Sequence, residues 1–118
     1  MKYNLRKELV MENIEKLLNA IVADYYNWQT ANGTRQQTDT QKEMYEKFAK
    51  GLQLLKGNKY YKIVTAKGGV WGFIQIKNDN NFKAGDILKA ASWFSPSRNF
   101  ARGNVIEEQI SHVQWTGA

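Results

Sequence analysis

Thirteen residues gather most of the side chains in this 118-residue chain that suit recognition of a small anionic ring system. The run Ser92-Trp93-Phe94-Ser95-Pro96-Ser97-Arg98-Asn99-Phe100-Ala101-Arg102-Gly103-Asn104 holds the only proline, three aromatics, two arginines, two asparagines and a glycine. Pro96 and Gly103 punctuate it, so it reads as a loop rather than a helix or strand. Flat rings such as Trp93 and Phe94, with Phe82 just upstream, can stack on a nucleobase, each gaining about 1–3 kcal/mol. The forked donors of Arg98 and Arg102 match paired phosphate oxygens, which lysine cannot copy. Asn99 and Asn104 each offer a donor and an acceptor, enough to read a base edge or a ribose hydroxyl. The plainer reading is an ordered connection between strands, with its rings in the core and its arginines solvated.

Other chemistry is poorly supplied, and an enzyme is not expected. His112 is the single histidine, in a strand-like run with no carboxylate partnered by spacing. A metal site needs a cluster of His, Cys or carboxylate ligands, and neither a metal nor a cofactor is expected. Asp79 and Asp86 are seven apart and read as a turn former and a strand-entry residue. Gly68-Gly69 lacks the following lysine-serine or lysine-threonine pair of a phosphate loop.

Charge is unevenly spread. Residues 1–46 carry six basic and seven acidic side chains. Residues 47–104 carry eleven basic side chains against Asp79 and Asp86 alone, within a chain of net charge +6. Such a segment suits a polyanion, either nucleic acid or a phosphorylated small molecule. It also suits a solvated sheet face on which lysines alternate with apolar residues. Apolar content of 42% with 13% aromatic places the chain among folded rather than disordered proteins. There is no cysteine, so disulfide and thiolate chemistry are excluded. No apolar run approaches the roughly 18 residues of a membrane helix, and no signal-peptide pattern is present. The expectation is a cytoplasmic protein with no membrane partner.

The elements that must position these side chains follow from periodicity. Val10, Ile14, Leu17, Leu18, Ile21, Val22 and Tyr25 recur at spacings of three and four, giving a helix that ends near Trp28 before Asn32-Gly33. A second helix begins at Thr38, whose hydroxyl caps its free amides, with Gln41 completing a capping box. Its stripe is Met44, Phe48, Leu52 and Leu55, and Lys56-Gly57 is its stop. From Lys59 the period becomes two. Tyr60–Thr65 and Val70–Ile76 read as strands around a Lys67-Gly68-Gly69 turn, and Asn78–Asn81 reads as the next turn. A third strand includes Asp86-Ile87-Leu88 or the run toward Trp93, and Val105, Ile106, Ile110, Val113 and Trp115 suggest one or two closing strands. The expected fold is α+β, one domain over 1–118. An N-terminal two-helix hairpin (1–57) precedes a four- or five-stranded antiparallel β-sheet (58–118). Trp71, Phe73 and Trp115 are expected in its core.

One resemblance adds to this reading. Gly69-Val70-Trp71-Gly72-Phe73-Ile74, Lys83-Ala84-Gly85-Asp86-Ile87-Leu88-Lys89-Ala90-Ala91-Ser92-Trp93, Pro96, Ala101-Arg102-Gly103-Asn104 and Trp115-Thr116-Gly117 resemble small bacteriophage proteins, the Thoeris anti-defence sponges. The similarity spans roughly residues 59–118, and the helical half matches only in length and order. The resemblance implies a non-enzymatic protein that sequesters glycocyclic ADP-ribose signals in the cytoplasm of an infected bacterium. It further implies a homo-oligomer with pockets where subunits meet, and cyclic oligonucleotides as a further ligand class. Trp93, Arg102, Gly103 and Asn104 carry over as motif positions. Phe82, Phe94, Arg98 and Asn99 join them on chemical grounds. The competing expectations are a small basic nucleic-acid-binding protein and an assembly component whose exposed rings meet another protein.

Overall fold

The first helix, α1 (Lys2–Gln29), is organised by its apolar stripe. Val10, Ile14, Leu17, Ile21 and Tyr25 are all buried, while Glu12, Glu15 and Lys16 between them face solvent. The computed structural model describes residues 2–118, with side chains from Val10 onward. Beyond Gln29 the chain turns through Ala31, Asn32 and Gly33 at φ of 48°, 59° and 87°, the left-handed exit expected of Asn-Gly. Thr30 locks that exit: its hydroxyl donates to the Tyr26 carbonyl (3.0 Å) and accepts from the Gly33 amide (3.1 Å).

The second helix, α2 (Asp39–Gly51), starts with the capping box read from the sequence. The Gln41 amide donates to the Thr38 hydroxyl (3.1 Å), and the Thr38 amide donates to the Gln41 side chain (2.9 Å). No residue of α2 is fully buried. It rests on α1 through Phe48, stacked on Tyr25 with centroids 4.4 Å apart, and through Gln29, which donates to the Gln41 carbonyl (2.8 Å).

Four antiparallel strands follow, in the order β1 (Gln53–Lys56), β2 (Tyr60–Val64), β3 (Val70–Gln75) and β4 (Ile87–Leu88). The architecture is therefore α+β, with helices preceding the sheet. One sheet face sets Tyr61, Ile63, Ile74 and Ile87 against Val10, Ile14, Leu17 and Ile21 of α1 in the main core. Full burial of one such aliphatic side chain is worth about 1.5–3 kcal/mol. The other face carries a smaller cluster of Phe73, Phe82 and Leu88, edged by Tyr60, Val70, Ala90 and Ala101. Trp71 and Phe73 are buried as expected, and Trp115 packs half-buried against the main core.

Two expectations are corrected. The helical part does not run to residue 57, because α2 ends at Gly51 and Leu52 is already extended. Gln53–Lys56 instead pairs with β2, Leu54 opposite Ile63 and Leu55 opposite Lys62. Leu52 and Leu55 suited a helical stripe, but Leu54 turns toward the core while Leu55 is exposed, the period of a strand. Gly51 also permits the close approach of Ala66, since a Cβ there would lie 2.2 Å from that of Ala66.

The second correction concerns the C-terminus, where the closing strands do not form among the described residues. From Ala90 on, the chain runs through turns and isolated bridges, Ala90 to Pro96 and Asn104 to both Asp86 and Gln109. Val105 is buried, and Ile106, Ile110 and Val113 pack on the core one by one.

Because α2 buries no complete side chain, its start depends on the cap more than on packing. Thr38→Ala is expected to lower unfolding free energy by about 0.5–2 kcal/mol, read from urea denaturation followed by circular dichroism.

Candidate anion-binding cleft

Strand β4 is two residues long and pairs only with Phe73 and Ile74, which leaves the start of β3 without a neighbour on that side. The C-terminal segment takes the place. The Ala118 amide donates to the Trp71 carbonyl (2.9 Å), and the Trp71 indole donates to the Gln114 carbonyl (2.7 Å). The Trp115 amide donates to the Asp24 carboxylate (2.9 Å), tying the same segment to α1. Between it and the 100–102 loop lies a cleft of about 620 Å³. Trp71 and Ile87 form its buried side, and Lys89, Phe100, Arg102, His112, Gln114 and Thr116 line the rest.

Lys89 and Arg102 line it, and no acidic side chain does. The Arg102 guanidinium lies 4.0 Å over the Phe100 ring, and its Nε is buried without an acceptor among the described residues. The Arg102 backbone is fixed on both sides: its amide donates to the Ile87 carbonyl (2.7 Å), and its carbonyl accepts from His112 Nε2. Such a wall offers charge and forked donors to an anion, beside an aromatic edge and the polar groups of Gln114 and Thr116.

The structure divides the residues singled out in the sequence. Arg102 alone of them reaches this cleft, and Gly103 and Asn104 stand behind it as supports. Gly103 has φ of +154°, and a Cβ there would meet the Gln109 carbonyl oxygen at 2.3 Å. Asn104 is 1% exposed, and its amide is spent inside the protein rather than offered to a ligand. Its Nδ2 donates to the Ala84 carbonyl (3.0 Å) and to Asp86 (2.9 Å), while its Oδ1 accepts from the Glu107 amide (2.9 Å).

Phe82, Trp93, Phe94 and Arg98 gather elsewhere, around the smaller cluster of the sheet. Phe82 is buried, with the Arg98 guanidinium 4.5 Å above its ring. Arg98 donates to the Tyr60 hydroxyl (2.7 Å) and to Asp79 (2.6 Å), so both arms of its fork are engaged. Trp93 is half-exposed with Lys62 Nζ 4.3 Å from its centroid, and Phe94 is 85% exposed beside the same lysine. Asn99 is exposed and lines neither group. Lys89, His112, Gln114 and Thr116 were not singled out from the sequence as ligand contacts. Their approach to Arg102 depends on how the C-terminal segment folds back, and no local spacing encodes that.

Asp79 forms a turn and Asp86 stands at the entry to β4, as the sequence suggested. Asp79 accepts from the Asn81 and Phe82 amides, and Asp86 accepts from the Lys83 amide. The two backbone donors, reinforced by Arg98 and Gln75, hold the Asp79 carboxyl well below the usual carboxylate value of 3.8. A carboxyl lowered in the folded state adds stability that is complete above its unfolded value and is lost as pH falls below it. No group of three or more His, Cys, Asp or Glu side chains placed to hold a metal occurs among the described residues. No helix among them is long and apolar enough to cross a membrane.

Two outcomes follow from this geometry. Asn104→Ala strands buried partners on Asp86, Ala84 and Glu107 and is expected to cost about 2–4 kcal/mol, against under about 1 kcal/mol for Arg102→Ala, by urea denaturation. Asp79→Asn is expected to flatten the fall of stability below about pH 4, read from denaturation midpoints across the acid range.

A family model described as "Family of unknown function (DUF7717)" matches residues 2–118. Comparison with curated proteins and with solved structures gives no match.

Proposed function

The chain belongs to the DUF7717 family, and we propose that it is a non-enzymatic binding protein that sequesters a nucleotide-type anion of the cyclic ADP-ribose class. The observation that carries this reading is the C-terminal cleft, lined by Lys89, Arg102, His112 and Phe100 and by no acidic side chain. Its volume of about 620 Å³ falls within the roughly 300–1,000 Å³ of small-molecule sites. A cyclic ADP-ribose isomer carries a pyrophosphate, ribose hydroxyls and an adenine face. Arg102 and Lys89 complement the first, Gln114 and Thr116 the second, and the Phe100 edge the third. With its Nε buried, Arg102 offers such a ligand its terminal N–H groups.

A sponge acts by stoichiometry, so its affinity must be better than micromolar, beyond about −8 kcal/mol. A cleft open on one side buries too little of a dinucleotide for that, and a second subunit placed over the opening supplies the rest. The reading therefore includes a homo-oligomer whose ligand lies between subunits, acting in the cytoplasm of an infected bacterium, where these signals are made. Cyclic oligonucleotides present the same phosphate and base chemistry.

A second reading, a small nucleic-acid-binding protein, is favoured by the exposed Trp93 and Phe94 beside Lys62. Rings interleaved with lysines suit successive bases of a single strand. Salt separates the two. Affinity for a strand falls steeply as counterions are released, whereas one pyrophosphate gives a shallow slope.

Calorimetric titration with glycocyclic ADP-ribose, followed by heat denaturation and mass analysis of the released ligand, tests the proposal. Sub-micromolar binding with the ligand recovered intact is expected. Lys89→Ala with Arg102→Ala should weaken it at least about tenfold, about 1.4 kcal/mol, at unchanged oligomer mass by light scattering. Absence of binding at the highest attainable ligand concentration sinks the reading, and recovery of cleaved ligand replaces it with an enzyme.

A further inference from the structure

A second cleft, of about 460 Å³, lies on the other side of the C-terminal segment, and Gln114 and Thr116 border both. Its character is opposite to the first. Asp24, Asn27 and Trp28 of α1 line it together with Asn32 and Trp115, and no lysine or arginine does. Asp24 and Trp28 are one helical turn apart and so stand on the same face of α1. The Asp24 carboxylate is held in place by accepting the Trp115 amide at 2.9 Å. The two indoles meet at a corner, centroids 5.1 Å apart and planes inclined at 48°. Trp115 is braced from behind by Tyr25 and Phe48, each edge-on to it, at 5.0 and 5.9 Å. Trp28 is 60% exposed, so much of its surface is open to solvent.

In a chain of net charge +6 this carboxylate stands apart from the ion pairs described, which join Lys16 to Glu108, Lys50 to Glu46, Lys83 to Glu107 and Arg98 to Asp79. Aromatic faces elsewhere in the molecule already hold cations. Lys62 lies over Trp93, Arg98 over Phe82 and Arg102 over Phe100. The Trp28–Trp115 corner repeats those aromatic faces and adds a fixed carboxylate. We propose that it is a binding site for an organic cation with N–H donors, the guanidinium or primary ammonium of a basic side chain. The cation lies against the indole faces, attracted by their quadrupoles. Its N–H groups donate to Asp24 and to the amide oxygens of Asn27 and Asn32. A neutral polyol would meet the same rings and acceptors but would gain nothing from the carboxylate's charge.

The probe is N-acetyl-L-arginine amide, titrated against the protein while the indole N–H resonances of Trp28 and Trp115 are followed. Its neutral counterpart N-acetyl-L-citrulline amide and methyl β-glucoside run in parallel. A saturable shift of both indoles by the arginine compound is expected, with the citrulline compound at least about tenfold weaker. Asp24→Asn keeps an acceptor for the Trp115 amide and should narrow the gap between the arginine and citrulline compounds, leaving only the attraction of the rings for the cation. Trp28→Ala removes a largely exposed ring and should abolish saturation while the protein still unfolds cooperatively in urea, at a modestly lower midpoint. Arg102→Ala, in the neighbouring cleft, should leave the titration unchanged, which makes the result independent of nucleotide binding. The proposal is overturned if the arginine compound gives no saturable shift, if citrulline or the glucoside binds as tightly, or if Trp28→Ala binds as the parent does.

Discussion

The buried amide of Asn104 does in the C-terminal third what a strand ladder does elsewhere. With β4 only two residues long, the chain beyond it is held by scattered backbone bonds, such as Arg102 to Ile87 and Val105 to Gly85, rather than by a long ladder. Asn104 joins Ala84, Asp86 and Glu107 through one side chain, and its backbone exchanges bonds with Gln109. Asp86 in turn holds the Lys83 amide. A polar side chain so thoroughly buried is tolerated because both its donor and its acceptor are met. One wall of the first cleft hangs from this point, while Trp71 and Asp24 anchor the other. The Gly103 turn passes close to Gln109, Arg102 is held against Ile87 and His112, and the return of the chain toward Trp71 follows.

Charge is managed by pairing cations with rings and turn carboxylates rather than by spreading them over an open face. Arg98 is engaged by Tyr60, Asp79 and Phe82, and Lys62 is shared among Phe73, Trp93 and Phe94. A guanidinium with both arms bonded internally has little left for a phosphate. Arg102 differs because its partner is a ring, which engages its face and leaves its N–H edges. That difference, not sequence position, separates two arginines four residues apart. The C-terminal segment then divides a cleft lined by Lys89 and Arg102 from one lined by Asp24, Trp28 and Trp115.

Much of the fold was legible because its signals are local. The stripe from Val10 to Tyr25, the Thr38–Gln41 capping box, the Gly68-Gly69 and Asn78–Asn81 turns and the alternation through β2 and β3 each lie within a few residues. The misread places are those where local and distant preferences compete. Leu52 and Leu55 fit a helical stripe, yet pairing with β2 satisfies the backbone of residues 53–56 and turns Leu54 inward. The apolar residues from Val105 to Trp115 look like strands, but each packs singly on the core while Asn104 supplies the order. The candidate site was legible only in part: Arg102 could be named from chemistry, whereas Lys89, His112, Gln114 and Thr116 reach it through the tertiary path of the chain.

By itself the sequence determined the class of fold, the helix stripe that makes the main core, the turn chemistry and the supply of rings, amides and cations in one loop. Side-chain period and capping act over three or four residues, so these are written in the chain directly. Which of those side chains face a ligand was decided by the tertiary structure. Burial and partnering are set by neighbours far away in sequence: Asp79 and Tyr60 engage Arg98, Asp86 and Ala84 turn Asn104 inward, and the segment anchored on Trp71 and Asp24 builds the clefts.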